Sequence, residues 1–170
     1  MNLKLKKTSL FSKSDKRGNF TKFFENKKFK NFKIKEIFVT KSKKNVLRGF
    51  HFQSGKFKTN KLIYCEEGSV LDVVIDLRKN KKTFGKIYTF KLNSKIPEIL
   101  SVPFYYGHAF LCLSKNCKMI YLYDNNYHKS FDKGILWSSV KFKWPKRNFI
   151  ISDRDKNFRN FNTYFTKSKN

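Results

Sequence analysis

The sequence contains three histidines, which are the side chains best suited to acid–base chemistry near neutral pH. His51 and His108 lie in apolar, aromatic stretches, whereas His128 lies in a polar segment. A buried imidazole must find a hydrogen-bond partner, because an unpaired polar group in an apolar environment costs free energy. Taken singly, each of these two histidines is more typical of a core residue with a hydrogen-bond partner than of a catalytic residue. The neighbouring residues in the sequence are needed to distinguish the two interpretations.

The three cysteines, Cys65, Cys112 and Cys117, have no redox or metal-binding spacing. Their number is odd and no C-x-x-C pair occurs, which argues against a disulfide framework and against a thiolate metal site. We therefore expect a reducing, cytoplasmic compartment. No run of about 18 apolar residues occurs, and lysines interrupt the N-terminal segment, so we expect neither a membrane span nor a secretory signal.

The elements that must position these side chains are short strands. In the segment 70–77, Leu71, Val73, Ile75 and Leu77 alternate with a second face that carries two aspartates, which is the period of a β-strand. Clusters of Gly, Asn, Ser and Lys separate further runs of this kind, at 34–39, 46–53, 61–65, 86–92, 98–102, 108–113 and 118–123. This spacing predicts an all-β antiparallel sandwich or barrel.

Helices have a minor place in the predicted fold. Only the stretches 22–30 and 156–166 could form them, as one or two short segments. At 170 residues, the chain is expected to form a single domain over 1–170. Its polar or lysine-rich ends, 1–8 and 163–170, are expected to fray.

The charge is strongly basic, with 39 Lys and Arg against 12 Asp and Glu, a formal net charge of +27. Such an excess invites a nucleic-acid interpretation, because cations displace counterions from a phosphate backbone. Yet 33 of the 39 are lysines, and they are spread along the whole chain. Arginine is the residue that makes bidentate contacts to phosphate and guanine. We interpret most of the charge as a solvated surface, and nucleic acid is not the expected partner.

Six stretches, taken together, carry a family resemblance. In chain order they are LRGFHFQ, then KL, GSVLDVVIDLRKNKKTFGK, VPFYYGHAFLCLS, MIYLYDNNY and ISDRD. Over about residues 10–158 this series resembles the dTDP-4-dehydrorhamnose 3,5-epimerase family. The resemblance implies a cupin-type jelly roll that forms a homodimer and needs no metal or redox cofactor. The sequence agrees on the metal, because position 49 is glycine where a metal-binding cupin has the first histidine of an H-x-H pair.

The implied reaction inverts the carbons that flank the ketone of a nucleotide-linked 4-keto-6-deoxyhexose. In its simplest form it converts dTDP-4-dehydro-6-deoxy-D-glucose to dTDP-4-dehydro-L-rhamnose. Removal of a proton next to a ketone requires a base, a donor or cation at the carbonyl oxygen and, for inversion, an acid on the opposite face. The resemblance assigns the base to His51, with Asp155 as its orienting carboxylate. It assigns the acid to Tyr121 and the enolate-stabilising ammonium to Lys61.

The same resemblance implies a set of substrate-binding residues. Arg48 and Arg17 match positions that hold the diphosphate, which suits the planar guanidinium group. Arg17 lies in an N-terminal arm, residues 1–30, which in this family reaches across to the partner subunit. The remaining matched positions are Phe20, His108, Tyr127, Asp132 and Arg154.

Arg48 and His51 pose a geometric problem, because residues three apart on a regular strand face opposite sides of a sheet. A β-bulge or a strand end near Gly49 would have to bring both side chains to one cavity.

Several binding positions depart from the family pattern. Glu36 and Phe38 stand where the pattern Q-x-N-x-S has an amide and an asparagine, and Lys22 stands where it has a glutamate. Tyr105 replaces a small glycine. These departures leave open the nucleotide base, the sugar, and whether C3, C5 or both carbons are inverted. An alternative function is a non-catalytic basic module on a cupin-like scaffold that binds nucleic acid or an acidic glycan.

Overall fold

The computed structural model of the protein describes residues 3–145 and 148–165. The fold of this part of the chain contains twelve β-strands and two short α-helices. The strands are β1 (Lys6–Ser9), β2 (Phe11–Asp15), β3 (Gly18–Lys22), β4 (Glu36–Lys43), β5 (Leu47–Gln53), β6 (Lys61–Glu67), β7 (Ser69–Asp76), β8 (Ile87–Asn93), β9 (Glu98–Val102), β10 (Tyr106–Cys112), β11 (Asn116–Tyr123) and β12 (Asp132–Gly134). The helices are α1 (Asp153–Lys156) and α2 (Phe161–Phe165).

Two five-stranded antiparallel sheets face each other. The first has the strand order β1-β9-β6-β11-β4 and the second β12-β5-β10-β7-β8, while β2 and β3 form a separate hairpin. The inner core between the sheets takes residues from both, among them Ile63 of β6, Val74 of β7, Phe110 of β10 and Met119 of β11. This architecture confirms the predicted all-β sandwich, and every predicted strand segment overlaps an observed one.

Part of the outer face of each sheet is also covered. Phe29 and Phe32 pack with Leu62 of β6 and Ile99 of β9 on the outside of the first sheet. On the second sheet, Trp144 and its C-terminal neighbours cover the apolar outer face of β5, β7 and β10. Because strands β6, β7 and β10 are buried on both faces over most of their length, they are held rigidly enough to position a site.

The segments at the two ends differ in part from the sequence-based expectation. The helix predicted over 22–30 is wrong: β3 ends at Lys22, and turns follow. Phe24 stacks on Phe29 at 5.8 Å between ring centroids, and the burial of these rings outweighs a weak helical pattern. The stretch expected to be helical near 156–166 contains α2 and the end of α1.

The fraying predicted for 1–8 is wrong for residues 6–8, because β1 pairs with β9. At the other end, residues 163–165 of the expected frayed tail belong to α2, and 166–170 lie outside the described residues. No helix in the described part of the chain has the length and apolar character to cross a membrane.

Candidate active site

A cavity of about 500 Å³ opens at one end of the sandwich, between the two sheets. Strands β4, β5, β6 and β11 supply most of its wall, and the segment that leads into β12 supplies the rest. The lining residues are Glu36, Phe38, His51, Phe52, Gln53, Lys61, Tyr123, Tyr127 and Asp132. The cavity thus contains an imidazole, an ammonium group and a phenol within one enclosure.

A β-bulge at Gly49 determines which way the side chains of β5 point. His108 of β10 pairs with His51, but Phe110 pairs with Arg48, so β5 has one more residue than β10 between these two pairs. Gly49 has φ +114°, which favours glycine, and a Cβ here would lie 2.5 Å from the carbonyl oxygen of His108. The bulge predicted near Gly49 is therefore present, and Arg48 and His51 both project between the sheets.

His51 and Asp155 form a hydrogen-bonded pair at the cavity wall. Nε2 of His51 lies 2.9 Å from Oδ1 of Asp155, and Oδ2 of the same carboxylate accepts the Gly49 N–H at 2.9 Å. Burial opposes ionisation of Asp155, but hydrogen bonds from His51, Gly49 and Ser152 outweigh it and hold its pKa below the ordinary value. An ionised Asp155 fixes the proton on Nε2, so Nδ1 of His51 is the free acceptor.

Lys61 lies beside His51 at the start of β6. Its side chain is buried, and its Nζ donates to the carbonyl oxygen of His51 at 3.1 Å. Burial lowers the pKa of Lys61 to about 8, although the charges of Asp132 and Asp72 act in the opposite direction. At neutral pH this group is an ammonium ion in a poorly solvated place, where it can stabilise a developing oxyanion.

His108 belongs to a second histidine–carboxylate pair, deeper between the sheets. Its Nε2 hydrogen-bonds to Oδ1 of Asp72, and both side chains are buried. Burial lowers the pKa of His108, against the charge and hydrogen bond of Asp72. His108 is not among the residues that line the cavity. The sequence analysis did not select Asp72, although an aspartate on the valine face of β7 was the signal that could have found it.

Tyr121 and Tyr123 occupy different positions relative to the cavity. Tyr121 is only 4% exposed and stacks on Phe38, with ring centroids 4.9 Å apart and planes 10° from parallel. Tyr123 lines the cavity, and its ring meets Phe38 edge-on at 4.8 Å. The structure therefore brings His51, Lys61 and Tyr123 to one cavity, while Phe38 covers one face of Tyr121.

The other predicted binding residues fall into two groups. Tyr127 and Asp132 line the cavity, and Arg154 pairs with Asp132 at 2.5 Å. Arg48 instead donates to Ser42 Oγ at 3.1 Å, outside the cavity lining. Arg17 and Phe20 lie in the separate β2–β3 hairpin, where Arg17 pairs with Asp15 and both predicted residues are exposed.

The sequence analysis missed two further polar residues of the cavity. It noted Glu36 only as a departure from the family pattern, yet its Oε1 accepts the Tyr127 N–H at 2.7 Å. Gln53 is buried at the end of β5 and accepts the His128 N–H at 2.7 Å. No metal-binding group of three or more His, Cys, Asp or Glu residues occurs within 3–145 and 148–165.

This chain is similar to known proteins in both sequence and fold. The family model for dTDP-4-dehydrorhamnose 3,5-epimerase matches residues 5–163. A dTDP-4-dehydrorhamnose 3,5-epimerase of Shigella flexneri is 37% identical over 154 residues, which cover 86% of this chain and 85% of that protein. The crystal structure of the enzyme of that name from Elizabethkingia anophelis has a TM-score of 0.84 at 30% identity, with 96% and 98% of the chains covered.

A further similar structure contains a ligand. The dTDP-6-deoxy-D-glucose-3,5-epimerase of Legionella pneumophila, solved in complex with dTDP-4-keto-L-rhamnose, has a TM-score of 0.88 at 26% identity. The match covers 93% of this chain and 88% of that one.

Proposed function

The chain belongs to the dTDP-4-dehydrorhamnose 3,5-epimerase family, and from that premise we propose that it inverts C3, C5 or both carbons of a nucleotide-linked 4-keto-6-deoxyhexose. In its simplest form the substrate is dTDP-4-dehydro-6-deoxy-D-glucose and the product dTDP-4-dehydro-L-rhamnose. The observation that carries the proposal is the His51–Asp155 pair beside the Lys61 ammonium in one cavity. These groups are the base and the oxyanion stabiliser that such a reaction needs.

The first half of the reaction is a proton transfer to His51. Nδ1 accepts the proton from the carbon next to the ketone, the electron pair of that C–H bond forms the C=C bond of the enolate, and negative charge develops on the C4 oxygen. The Lys61 ammonium stabilises this charge. Asp155 in turn stabilises the imidazolium, because its carboxylate accepts the hydrogen bond from Nε2.

The second half of the reaction needs an acid on the opposite face of the sugar. If His51 returned its own proton, the starting configuration would be regenerated. We assign this role to Tyr121, as the family resemblance implies; its ring stacks on Phe38, which lines the cavity. A phenol is a suitable donor, because it is protonated at neutral pH.

Substrate binding is proposed to involve two subunits of a homodimer. Tyr127, Asp132 and Arg154 lie at the cavity, whereas Arg17 and Phe20 are held away from the sheets on the β2–β3 hairpin. We assign Arg48 and the partner's copy of the hairpin to the diphosphate end, and His108 to the inner end of the site. The three cysteines are free and buried, which suits the cytoplasm proposed as its compartment.

Deuterium incorporation tests the reaction directly. With the keto-sugar nucleotide in deuterated water, the protein is expected to introduce label at C3, C5 or both, as read by NMR. His51→Asn should slow exchange by about 10²–10⁴-fold. His128→Asn is the matched control, because His128 does not line the cavity. Absence of exchange with the folded protein would overturn the proposed function.

A mixing experiment tests the shared site. Arg17→Ala and His51→Asn proteins should each have low activity, but mixed dimers contain one site with His51 from one subunit and Arg17 from the other. Statistical mixing should then restore about one quarter of the wild-type activity per chain. No recovery in dimers shown to have exchanged subunits would contradict the shared site.

A further inference from the structure

We infer that Thr40 is a positioning residue for Tyr121: its hydroxyl donates a hydrogen bond to the phenolic oxygen that returns the proton to the sugar. The inference rests on the proposed function, and it concerns the residue that holds the acid of that reaction in place. It follows from the place of Thr40 on β4, the strand that pairs with β11.

Thr40 faces the interior of the sandwich, on the same side of β4 as Phe38. Exposure alternates along this strand, and the even-numbered positions from 36 to 42 are less exposed than the odd-numbered positions from 37 to 43. In the antiparallel register, Phe38 lies opposite Tyr121, and Thr40 lies opposite Met119. Thr40 is therefore a diagonal neighbour of Tyr121, at a separation across which a tyrosine side chain can reach.

The Thr40 hydroxyl has an unused capacity for hydrogen bonding. Its Oγ1 is buried and forms no hydrogen bond of good geometry within the described part of the chain. The next inward-facing hydroxyl of β4 differs, because Ser42 Oγ accepts a hydrogen bond from Arg48 at 3.1 Å. A buried hydroxyl without a partner costs free energy, so the Thr40 hydroxyl is set to bond to a neighbouring group.

The Tyr121 hydroxyl is the neighbour that this group affects. Burial raises the pKa of Tyr121 well above that of a free phenol, and the charge of Asp72 acts in the same direction. Hydrogen bonding by the Thr40 side chain is a contribution that lowers this pKa. Hydrogen bonds of catalytic groups are often long or poorly aligned before the substrate binds, and they tighten in the transition state. The bond from Thr40 should therefore strengthen as negative charge develops on the phenolic oxygen.

Phe38 restrains the ring whose oxygen Thr40 holds. The Phe38 and Tyr121 rings stack with centroids 4.9 Å apart and planes 10° from parallel. On another side, the Tyr121 ring meets His108 edge-on at 6.2 Å, and His108 pairs with His51 in the second sheet. Tyr121 thus extends from the first sheet and His51 from the second. Stacking fixes the plane of the phenol, and Thr40 supplies the remaining restraint at its oxygen.

Thr40 acts in the proposed step without losing its own proton. The enolate carbon forms a new C–H bond with the hydroxyl proton of Tyr121, and the O–H bond electrons remain on the phenolic oxygen. Negative charge leaves the C4 oxygen as the ketone re-forms, and the Thr40 O–H donates to the phenolate. The phenolate then recovers a proton from solvent while His51 releases the one it took, so no further reactant is needed.

Thr40→Val tests the role of the hydroxyl, because valine keeps the β-branched shape and lacks the oxygen. Loss of a hydrogen bond to a charged group should slow inversion by about 10- to 100-fold. Exchange of substrate protons for deuterium by His51, with retained configuration, should continue near the wild-type rate. KM should not change, because Thr40 is not among the residues that line the cavity. NMR in deuterated water reads both label and configuration.

Two further variants separate the hydroxyl from the packing around it. Thr40→Ser restores the donor and should keep inversion within about threefold of the wild-type rate. Thr8→Val is the matched control, because Thr8 Oγ1 is likewise buried without a partner in the described residues but lies on β1, at the opposite edge of the same sheet. This control should leave inversion and exchange unchanged. Equal losses in Thr40→Ser and Thr40→Val would overturn the inference.

A double variant measures the coupling between Thr40 and Tyr121. In the Tyr121→Phe background, which has no phenolic oxygen to hold, Thr40→Val should cause no further loss of the residual inversion. A further loss by the same factor as in the wild-type background would show that Thr40 acts independently of Tyr121 and would overturn the inference.

The ratio of inversion to exchange is the decisive quantity in the single variants. It should fall in Thr40→Val and, should that variant not fold, in the smaller Thr40→Ala; an unchanged ratio in the folded variant would contradict the role of Thr40. Failure of the proposed function differs from each of these results, because the wild-type protein would then exchange no label.

Discussion

The Asp155 carboxylate connects the His51 imidazole to the backbone that positions it. One oxygen accepts the hydrogen bond from His51 and the other accepts the N–H of Gly49, two residues earlier on the same strand. Both bonds are 2.9 Å long, and the carboxylate side chain is only 5% exposed. The orientation of the imidazole and the conformation of β5 are therefore stabilised by the same group.

The pH dependence of the reaction should reflect the ionisation of the Lys61 ammonium group. Burial lowers its pKa to about 8, so the ammonium form, and with it the stabilisation of the enolate, is lost as the pH rises through that value. We expect kcat/KM to fall about tenfold per pH unit above the pKa. A pH–rate profile from 6 to 10 measures this, with Lys61→Arg as a comparison.

Arginine remains charged throughout this range, so the fall near pH 8 should disappear in that variant while some activity remains. A wild-type profile that stays level to pH 10 would contradict a catalytic ammonium at position 61.

Individual site residues were predictable from sequence to different degrees. The resemblance led to His51, Lys61 and Asp155, and the structure brings these three together. The packing of Phe38 against Tyr123 at the cavity depends on how side chains of the paired strands β4 and β11 meet, which no local pattern encodes. Phe38 could be identified as a departure from the family pattern, but its stacking on Tyr121 required coordinates.

At the scale of elements, the bulge on β5 is the feature on which the site most depends. Without the additional residue at this point, His51 and Arg48 would face opposite sides of the second sheet. Gly49 permits the bulge, because its backbone has φ +114° and approaches β10 closely.

Gly49→Ala should therefore be strongly destabilising. The added Cβ would lie 2.5 Å from the His108 carbonyl oxygen and 2.6 Å from Ala109 Cα, neither of which is a flexible side-chain end. With the strain of the positive φ, we expect a loss of about 3 kcal/mol or more in the free energy of unfolding. Denaturant titration measures this loss, and activity should fall with it.

Gly18 provides the control for backbone strain alone. It has φ +124° at the tip of the β2–β3 hairpin, and a Cβ there would have no atom within 4 Å. Gly18→Ala should cost about 1 kcal/mol. Equal losses for the two variants would show that close packing against β10 is not what requires glycine at position 49.

The strand pattern predicted the sandwich well, and its failures each have a physical cause. A sequence pattern with a period of two residues identifies a strand when at least one of its faces is buried, as in β7 and β11. The hairpin strands β2 and β3 were missed because nearly all their residues are exposed, so no apolar period marks them. The stretch 22–30, which the sequence allowed as a short helix, instead continues from β3 into turns where Phe24 stacks on Phe29.

At the scale of the whole molecule, the positive charge surrounds a site that contains acidic groups. Glu36, Asp132 and Asp155 lie at or beside the cavity, whereas the lysines are spread over the whole chain. A net charge of +27 attracts an anionic ligand such as a nucleotide diphosphate from a distance. The same charge is what supports the alternative of a basic binding module.

Ionic strength should distinguish these two consequences of the charge. If the positive field only steers the anionic substrate, kcat/KM should fall severalfold between about 20 and 500 mM salt while kcat stays nearly constant, because screening acts on the encounter and not on the proton transfers. Steady-state kinetics at several salt concentrations measures both constants. Addition of duplex DNA at physiological salt should leave them unchanged, because the lysines are spread along the chain and not gathered in one segment. Tight DNA binding with a steep salt dependence, unaffected by His51→Asn, would instead favour the basic module.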